Sequence, residues 1–255
     1  MNFLTAYHTD IGIKKKTNQD SLLIHQAQTG SGNVVLAVIC DGMGGLAKGE
    51  VASACMIRQF SQWFQRDLPA LLSAGLQPEA LRLSWERLVG DVNQKITNYS
   101  IQNGVNMGTT CTALLIVNNV YYIMNIGDSR AYLISDNIYQ LTKDHTYVQR
   151  EMDAGRMTYE ESLRDPQRNV LLQCVGASPE IAPDFFMGDV TINQTFMLCC
   201  DGFRHVVTPQ EFYQYLNPAV CCDTQSMQRN IIYLTELNKQ RLENDNISVA
   251  LIRTY

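Results

Sequence analysis

"VVLAVICDGMGGLAKGE" (Val34–Glu50) decides how the rest of the chain is read. An unbroken apolar run stops at Asp41, three glycines follow within four residues, and a helical pattern opens at Gly49. Two readings compete for this turn. Gly42-Met-Gly44-Gly-Leu-Ala47 fits the dinucleotide fingerprint G-x-G-x-x-A, in which the backbone cradles a pyrophosphate. Alternatively, Asp41 is the working group and the glycines only shape the turn. Charge and context exclude the first reading. An aspartate directly before the first glycine would face an anionic pyrophosphate. The helix also leads through "RDLPALLSAG" (Arg66–Gly75) into another helix, not into a second strand ending in an acid about 20 residues on.

Working outward, strand-like runs rich in Val, Ile, Tyr and Leu occupy Ser21–Ile24, Val34–Cys40, Thr110–Val117, Tyr121–Ile126, Ala131–Ile134, Thr195–Cys200 and Ile247–Ile252. "VNNVYY" (Val117–Tyr122) reads as a tight hairpin turn, so the strands it joins are antiparallel. Helical patterns cover Gly49 to about Leu72 and Pro78 to about Asn103. The second carries a stripe of Leu81, Trp85, Leu88, Val89, Val92 and Ile96. "TPQEF" (Thr208–Phe212) is a capping box with Pro209 in the first turn. A further helix runs from about Thr224 to Lys239. Regular strand–helix alternation is missing, which excludes a doubly wound parallel sheet. The order predicts an α+β fold of antiparallel sheets covered by helices, in one domain spanning residues 1–255. The polar segment Thr146–Gln173 reads as a small flap.

A chain of 255 residues is ample for a sizeable core. Its net charge of −5, with no basic run beyond Lys14-Lys15-Lys16, argues against a nucleic-acid partner. No apolar run approaches the roughly 18–20 residues of a membrane span, and "MNFLTAYHTD" does not read as a signal peptide, so the expectation is a cytoplasmic protein without a membrane partner. The eight cysteines lack C-x-x-C spacing, and Cys40, Cys111, Cys199 and Cys200 sit in apolar strings, so they read as buried free thiols.

Four aspartates share one context. Asp41 and Asp201 each end an apolar strand and precede a glycine; Asp128 follows "YYIMNIG"; Asp245 opens "DNIS" before the last strand. In an antiparallel sheet, C-terminal and N-terminal strand ends lie on the same edge, so these acids can converge. Converging carboxylates either raise a pKa or demand a cation. Hard oxygen donors without His or Cys suit Mg²⁺ or Mn²⁺. A glycine beside an acid can bring a carbonyl close as a further ligand. Aspartate is also a default turn former, and spacing alone leaves that alternative open. "GDSR" (Gly127–Arg130) shares a triplet with the GDSL serine esterases. Ser129 is mid-chain, however, and no D-x-x-H pair follows near the C-terminus, so a nucleophilic serine lacks its partners.

In order along the chain, "GIKKKTNQDS", "DGMGG", "GTT", "NIGDSRAY", "LTKDHT", "CDGF" and "DNIS" resemble the metal-dependent protein phosphatases, the PPM or type 2C family, in their bacterial form. The resemblance runs from about Thr9 to Ile252. It implies two stacked antiparallel β-sheets flanked by helices, an α-β-β-α sandwich with a flap. It implies hydrolysis of phosphoserine and phosphothreonine in proteins by a hydroxide bridging two Mn²⁺ or Mg²⁺ ions. By this resemblance Asp41 bridges both metals, the Gly42 carbonyl binds one, and Asp201 and Asp245 complete the second. Asp128, with Asp201, holds a weaker third ion. Asp20 bonds metal waters, Asn246 orients the last ligand, and Lys15 binds the phosphate. The partners implied are phosphoproteins, together with a eukaryotic-like Ser/Thr kinase that shares those targets.

Four departures from the family pattern matter. Lys15 stands where the phosphate-binding arginine is usual, keeping the charge and losing the bidentate fork. Met43 replaces the histidine of eukaryotic relatives, as in bacterial ones. Asp165 in the flap stands where relatives often have histidine, and Gln19 where some have glutamate. His145, in "LTKDH", reads as structural, with no second histidine beside it; His205 is near Asp201 only in sequence. Two alternatives are a non-catalytic phosphoprotein-binding module and a phosphatase devoted to a sigma-factor regulator.

Overall fold

The computed structural model describes residues 1–43 and 48–255; Gly44–Ala47, the middle of the glycine turn and of the apparent fingerprint, lie outside the described residues. Two five-stranded antiparallel sheets stack face to face. The first has the order β1 (Phe3–Asp10), β12 (Ile247–Thr254), β11 (Thr195–Cys199), β8 (Arg130–Ile134), β9 (Ile138–Gln140). The second has the order β10 (Asp184–Asp189), β7 (Val120–Ile126), β6 (Cys111–Val117), β3 (Gly32–Cys40), β2 (Ser21–Thr29). A two-stranded ribbon pairs β4 (Gly42–Met43) with β5 (Gly108–Thr109).

The apolar run of the opening stretch is now explained. Val35, Ala37 and Ile39 point into the core between the sheets, while Val34, Leu36, Val38 and Cys40 pack under the helices on the other face. A strand buried on both faces needs no polar alternation. Those helices are α1 (Gly49–Arg66), α2 (Leu68–Ser73) and α3 (Pro78–Asn103), with Phe60, Trp63 and Trp85 in mutual edge contact at their centre. The single helix expected over Gly49–Leu72 is two. Asp67 closes α1 and opens α2, whose Pro69 cannot donate to a continuing helix. The other sheet is covered by α7 (Pro209–Leu216) and α8 (Thr224–Gln240). The Thr208–Glu211 capping box forms as read. The hairpin of β6 and β7 turns on Asn118 and Asn119, both at positive φ, the backbone that a two-residue hairpin demands.

Besides the two-residue β4 and β5, three strands escape the sequence pattern. β1 carries only Phe3 and Ala6 as buried apolar residues, and β9 and β10 are short edge strands that alternate weakly. Residues 146–173 hold two short helices, α4 (Tyr147–Asp153) and α5 (Tyr159–Ser162). The segment is tied down at its neck by Tyr147 N–H to Val170 O at 2.9 Å and Leu172 N–H to His145 O at 2.8 Å. Six cysteines are buried, Cys55 is intermediate and Cys222 is exposed; all are free thiols. No helix among the described residues is long and apolar enough to cross a membrane.

Candidate metal centre

Strand direction gathers the acids. β3 ends, β2 begins, β7 ends, β8 begins, β11 ends and β12 begins at one rim of the sandwich. Ser21 pairs with Cys40, which sets Asp20 across from Asp41. β11 runs antiparallel to β12, which sets Asp201 beside the Asp245–Asn246 turn. Asp128 lies where the chain crosses from one sheet to the other.

Each acid is fixed by its backbone. The Thr110 hydroxyl accepts from Asp41 N–H at 2.9 Å, and Thr110 N–H and the Thr109 hydroxyl donate to Asp41 O at 2.9 and 3.0 Å. The "GTT" string is thus the clamp that holds Asp41. Gly42 and Gly49 meet backbone to backbone, so closely that a Cβ on either would collide with the other. Asp201 opens a short helix, α6 (Asp201–Arg204).

Asn246 staples the loop carrying Lys15. Its amide donates to Ile11 O at 2.9 Å and Thr17 O at 3.3 Å, and its Oδ1 accepts from Gln19 N–H at 2.9 Å. Gly12, at φ 77°, lets that loop pass against the Asp245 carbonyl where no side chain fits. Lys15 Nζ then sits 2.7 Å from Asp245 Oδ1. Burial works against its charge, but the bond to Asp245 and the fields of Asp41 and Asp201 outweigh it and raise its pKa.

The carboxylates are crowded. Withdrawal from water, then the charges of Asp20, Asp201, Asp128 and Asp245, push Asp41 well above the ordinary carboxylate range. Burial is also the main cause that lifts Asp20 to about 7, partly offset by the Ser248 hydroxyl and Cys200 thiol. Neither of these neighbours completes a hydrogen bond, and both Asp20 carboxylate oxygens are buried without a partner, as is Asp201 Oδ1. Among the described residues no three His, Cys, Asp or Glu side chains close into a finished ligand shell. The donor chemistry nevertheless fits divalent hard cations. Buried carboxylate oxygens without partners, and no nitrogen or sulfur ligand among the four acids, are what Mg²⁺ or Mn²⁺ would satisfy.

Other residues at the rim were missed or discounted in the sequence. His205 reaches Asp201 after all, with Nε2 3.5 Å from Asp201 Oδ2, while its Nδ1 lies 3.3 Å from Glu243 Oε2. Glu243 also accepts from the backbone N–H groups of Asn244 and Asp245 at 2.7 and 2.9 Å. Asp128 shares the field of this cluster, since burial and then the charge of Asp201 raise it, but it also lies against Arg204, and Arg204 shares Asp144 with Arg130. His145 has the expected structural role. Its Nδ1 accepts from Gly127 N–H at 3.2 Å, which leaves Nε2 as the protonated nitrogen, 3.1 Å from Asp184 Oδ2. Asp165 is spent locally, accepting from Gln167 N–H at 2.7 Å.

Residues 12–237 match the family model described as protein phosphatase 2C. The chain is 29% identical over 251 residues to the serine/threonine phosphatase stp of Listeria monocytogenes, covering 96% of this chain and 94% of that one. It superposes on the serine/threonine phosphatase of S. agalactiae with a TM-score of 0.85, at 26% identity and full coverage of both chains. It superposes on the catalytic domain of the serine threonine protein phosphatase PstP, solved in complex with two manganese ions, with a TM-score of 0.78 at 26% identity, covering 99% of each.

Proposed function

The chain belongs to the protein phosphatase 2C (PPM) family of bacterial serine/threonine phosphatases, and we propose that it is itself a metal-dependent phosphoprotein phosphatase acting on phosphoserine and phosphothreonine. The observation that carries this reading is a cluster of acids with too few partners: among the described residues Asp20, Asp41, Asp201 and Asp245 meet Lys15 and, at 3.5 Å, His205, and three of their carboxylate oxygens are buried without a partner. Asp41 with the Gly42 carbonyl, Asp201 and Asp245 would hold divalent ions, with Asp20 bonding their waters. Such ions supply Lewis acidity, lowering the pKa of water toward neutrality and shielding the charge of a phosphoryl group.

The chain's own residues do the rest. The Thr109–Thr110 clamp fixes the backbone of Asp41, so the carboxylate is held in place before anything binds. Glu243 ties His205 to the Asp245 turn, and His205 in turn orients Asp201. Lys15 is half-exposed at the mouth and reaches Asp245. Once Asp245 is neutralised by a cation, the ammonium is free to bind a phosphate oxygen as a point charge. Residues 146–173 flank this rim and form the flap of the single catalytic domain, against which the protein part of the substrate would lie. A eukaryotic-like Ser/Thr kinase sharing its targets is the partner this activity implies.

The test is hydrolysis of a phosphothreonine peptide and of an aryl phosphate, with Mn²⁺ and with chelator. Turnover is expected only with the metal. Full activity in chelator would defeat the reading, and metal binding without turnover would favour a phosphoprotein-binding role.

A further inference from the structure

The weaker third ion that the family resemblance assigns to Asp128 and Asp201 does not fit the residues around Asp128. The Asp128 carbonyl accepts from Arg204 Nη2 at 2.9 Å, and its carboxylate lies 3.5 Å from the same nitrogen. Arg204 stands three residues after Asp201 on α6. The helix that begins with one acid therefore delivers a guanidinium against the other. That guanidinium is held from two sides. Its side chain is 12% exposed, and Nη2 is also 3.5 Å from Asp144 Oδ2. Asp144 is gripped from its other side by Arg130 in a two-bond fork of 2.8 and 2.7 Å. Arg130 is steadied in turn by the Tyr132 hydroxyl at 3.1 Å.

Two carboxylates and two guanidiniums make this group neutral before any metal arrives. The neighbouring Asp20, Asp41, Asp201 and Asp245 have only Lys15 and the long contact of His205 against them among the described residues. A guanidinium does not deprotonate in a protein, so a divalent ion at Asp128 would meet a permanent positive charge at close range.

We propose that Arg204 takes the place of the third ion, neutralising Asp128, so that the chain holds two divalent ions and no third. The inference rests on the metal-dependent reading above. The experiment counts ions without turnover: Mn²⁺ is titrated into the full chain by calorimetry, with free Mn²⁺ followed by electron paramagnetic resonance. The wild type binds two ions up to millimolar free Mn²⁺, and Arg204→Gln binds three. Asp128→Asn still binds two, because its carboxylate is not a ligand; this variant keeps the test decisive where Arg204→Gln does not fold. Three ions on the wild type, an ion lost in Asp128→Asn, or a count unchanged at two in folded Arg204→Gln would each overturn the proposal. A wild type that binds no Mn²⁺ defeats the metal reading and this inference together, and so is told apart from a failure of the inference alone.

Discussion

Two sides of one rim treat their carboxylates in opposite ways. On one side Asp128 and Asp144 are matched by Arg204 and Arg130, with the Asp144–Arg130 fork closed at 2.8 and 2.7 Å. On the other, among the described residues, Asp20, Asp41, Asp201 and Asp245 meet only Lys15 and the long contact of His205, and three buried carboxylate oxygens have no partner. The first arrangement gives each carboxylate a guanidinium, although burial and the charge of Asp201 still raise Asp128. The second is stable only with help from outside the chain, because buried like charges without counter-ions repel and are poorly solvated. The difference separates acids that build the fold from acids that await a ligand, although all lie within the same family motifs.

The sharpest way to break the comparison is to neutralise one acid on each side. Asp201→Asn is expected to cost several kcal/mol of transition-state stabilisation, at least about a hundredfold in kcat, while the protein stays folded. Asp144→Asn is expected to do the reverse. It leaves Arg130 without its carboxylate and Arg204 with Asp128 alone, and costs about 3–5 kcal/mol of stability in urea melts, with Mn²⁺ affinity retained. Equal effects of both substitutions on metal binding would erase the distinction.

The second effect is on pH. Asp20 is pushed up to about 7 and Asp128 to about 6 in the folded chain, above the 3.8 of an unperturbed aspartate. A raised carboxylate pKa means that the folded state binds more protons than the unfolded one between the two values. Stability of the metal-free protein therefore falls as pH rises from about 4 to about 7. Melting temperatures in chelator should drop between pH 5 and pH 8, and Mn²⁺ should recover most of the loss at pH 8. A metal-free melting temperature that is flat or rising across this range would contradict the crowded-acid picture.

Lys15 tests the cation held closest to the poorly matched acids. Removal of a charged hydrogen-bond donor is worth about 1.5–3 kcal/mol, so Lys15→Ala should raise KM about tenfold or more. Mn²⁺ should bind no more weakly to that variant, because the lysine competes with metal for Asp245. Lys15→Arg should keep KM at or below the wild-type value, since a fork grips phosphate better than a point charge. The smallest effect is expected at His205. Its contact with Asp201 is a long 3.5 Å, and His205→Ala should weaken Mn²⁺ by about tenfold, at the lower end of what ligand-orienting partners contribute.

Much of this was legible in the chain itself. Contiguous apolar runs such as Val34–Cys40 mark strands buried on both faces, and the acids that stop them, Asp41 and Asp201, stand out for that reason. α3 was expected over the span it occupies because its stripe is long and its ends carry Pro78 and Gly104. β1 and β10 were not legible. Half-exposed edge strands need little apolar sequence, since backbone pairing to a neighbour already in place holds them. The break at Asp67 was hidden because Leu68–Ser73 continues the apolar pattern across it.

The partners of the acids were the least legible part. Arg204 and Asp128 are 76 residues apart, and nothing local marks them as neighbours. The same holds for His205 and Glu243, which α6 and the turn before β12 bring together. Sequence alone determined which residues can offer hard oxygen and where strands must stop, because residue chemistry and hydrophobic periodicity are properties of short segments. Only the tertiary structure decided which carboxylates receive a counter-charge and which are left without one, because that depends on distances between segments far apart in the chain.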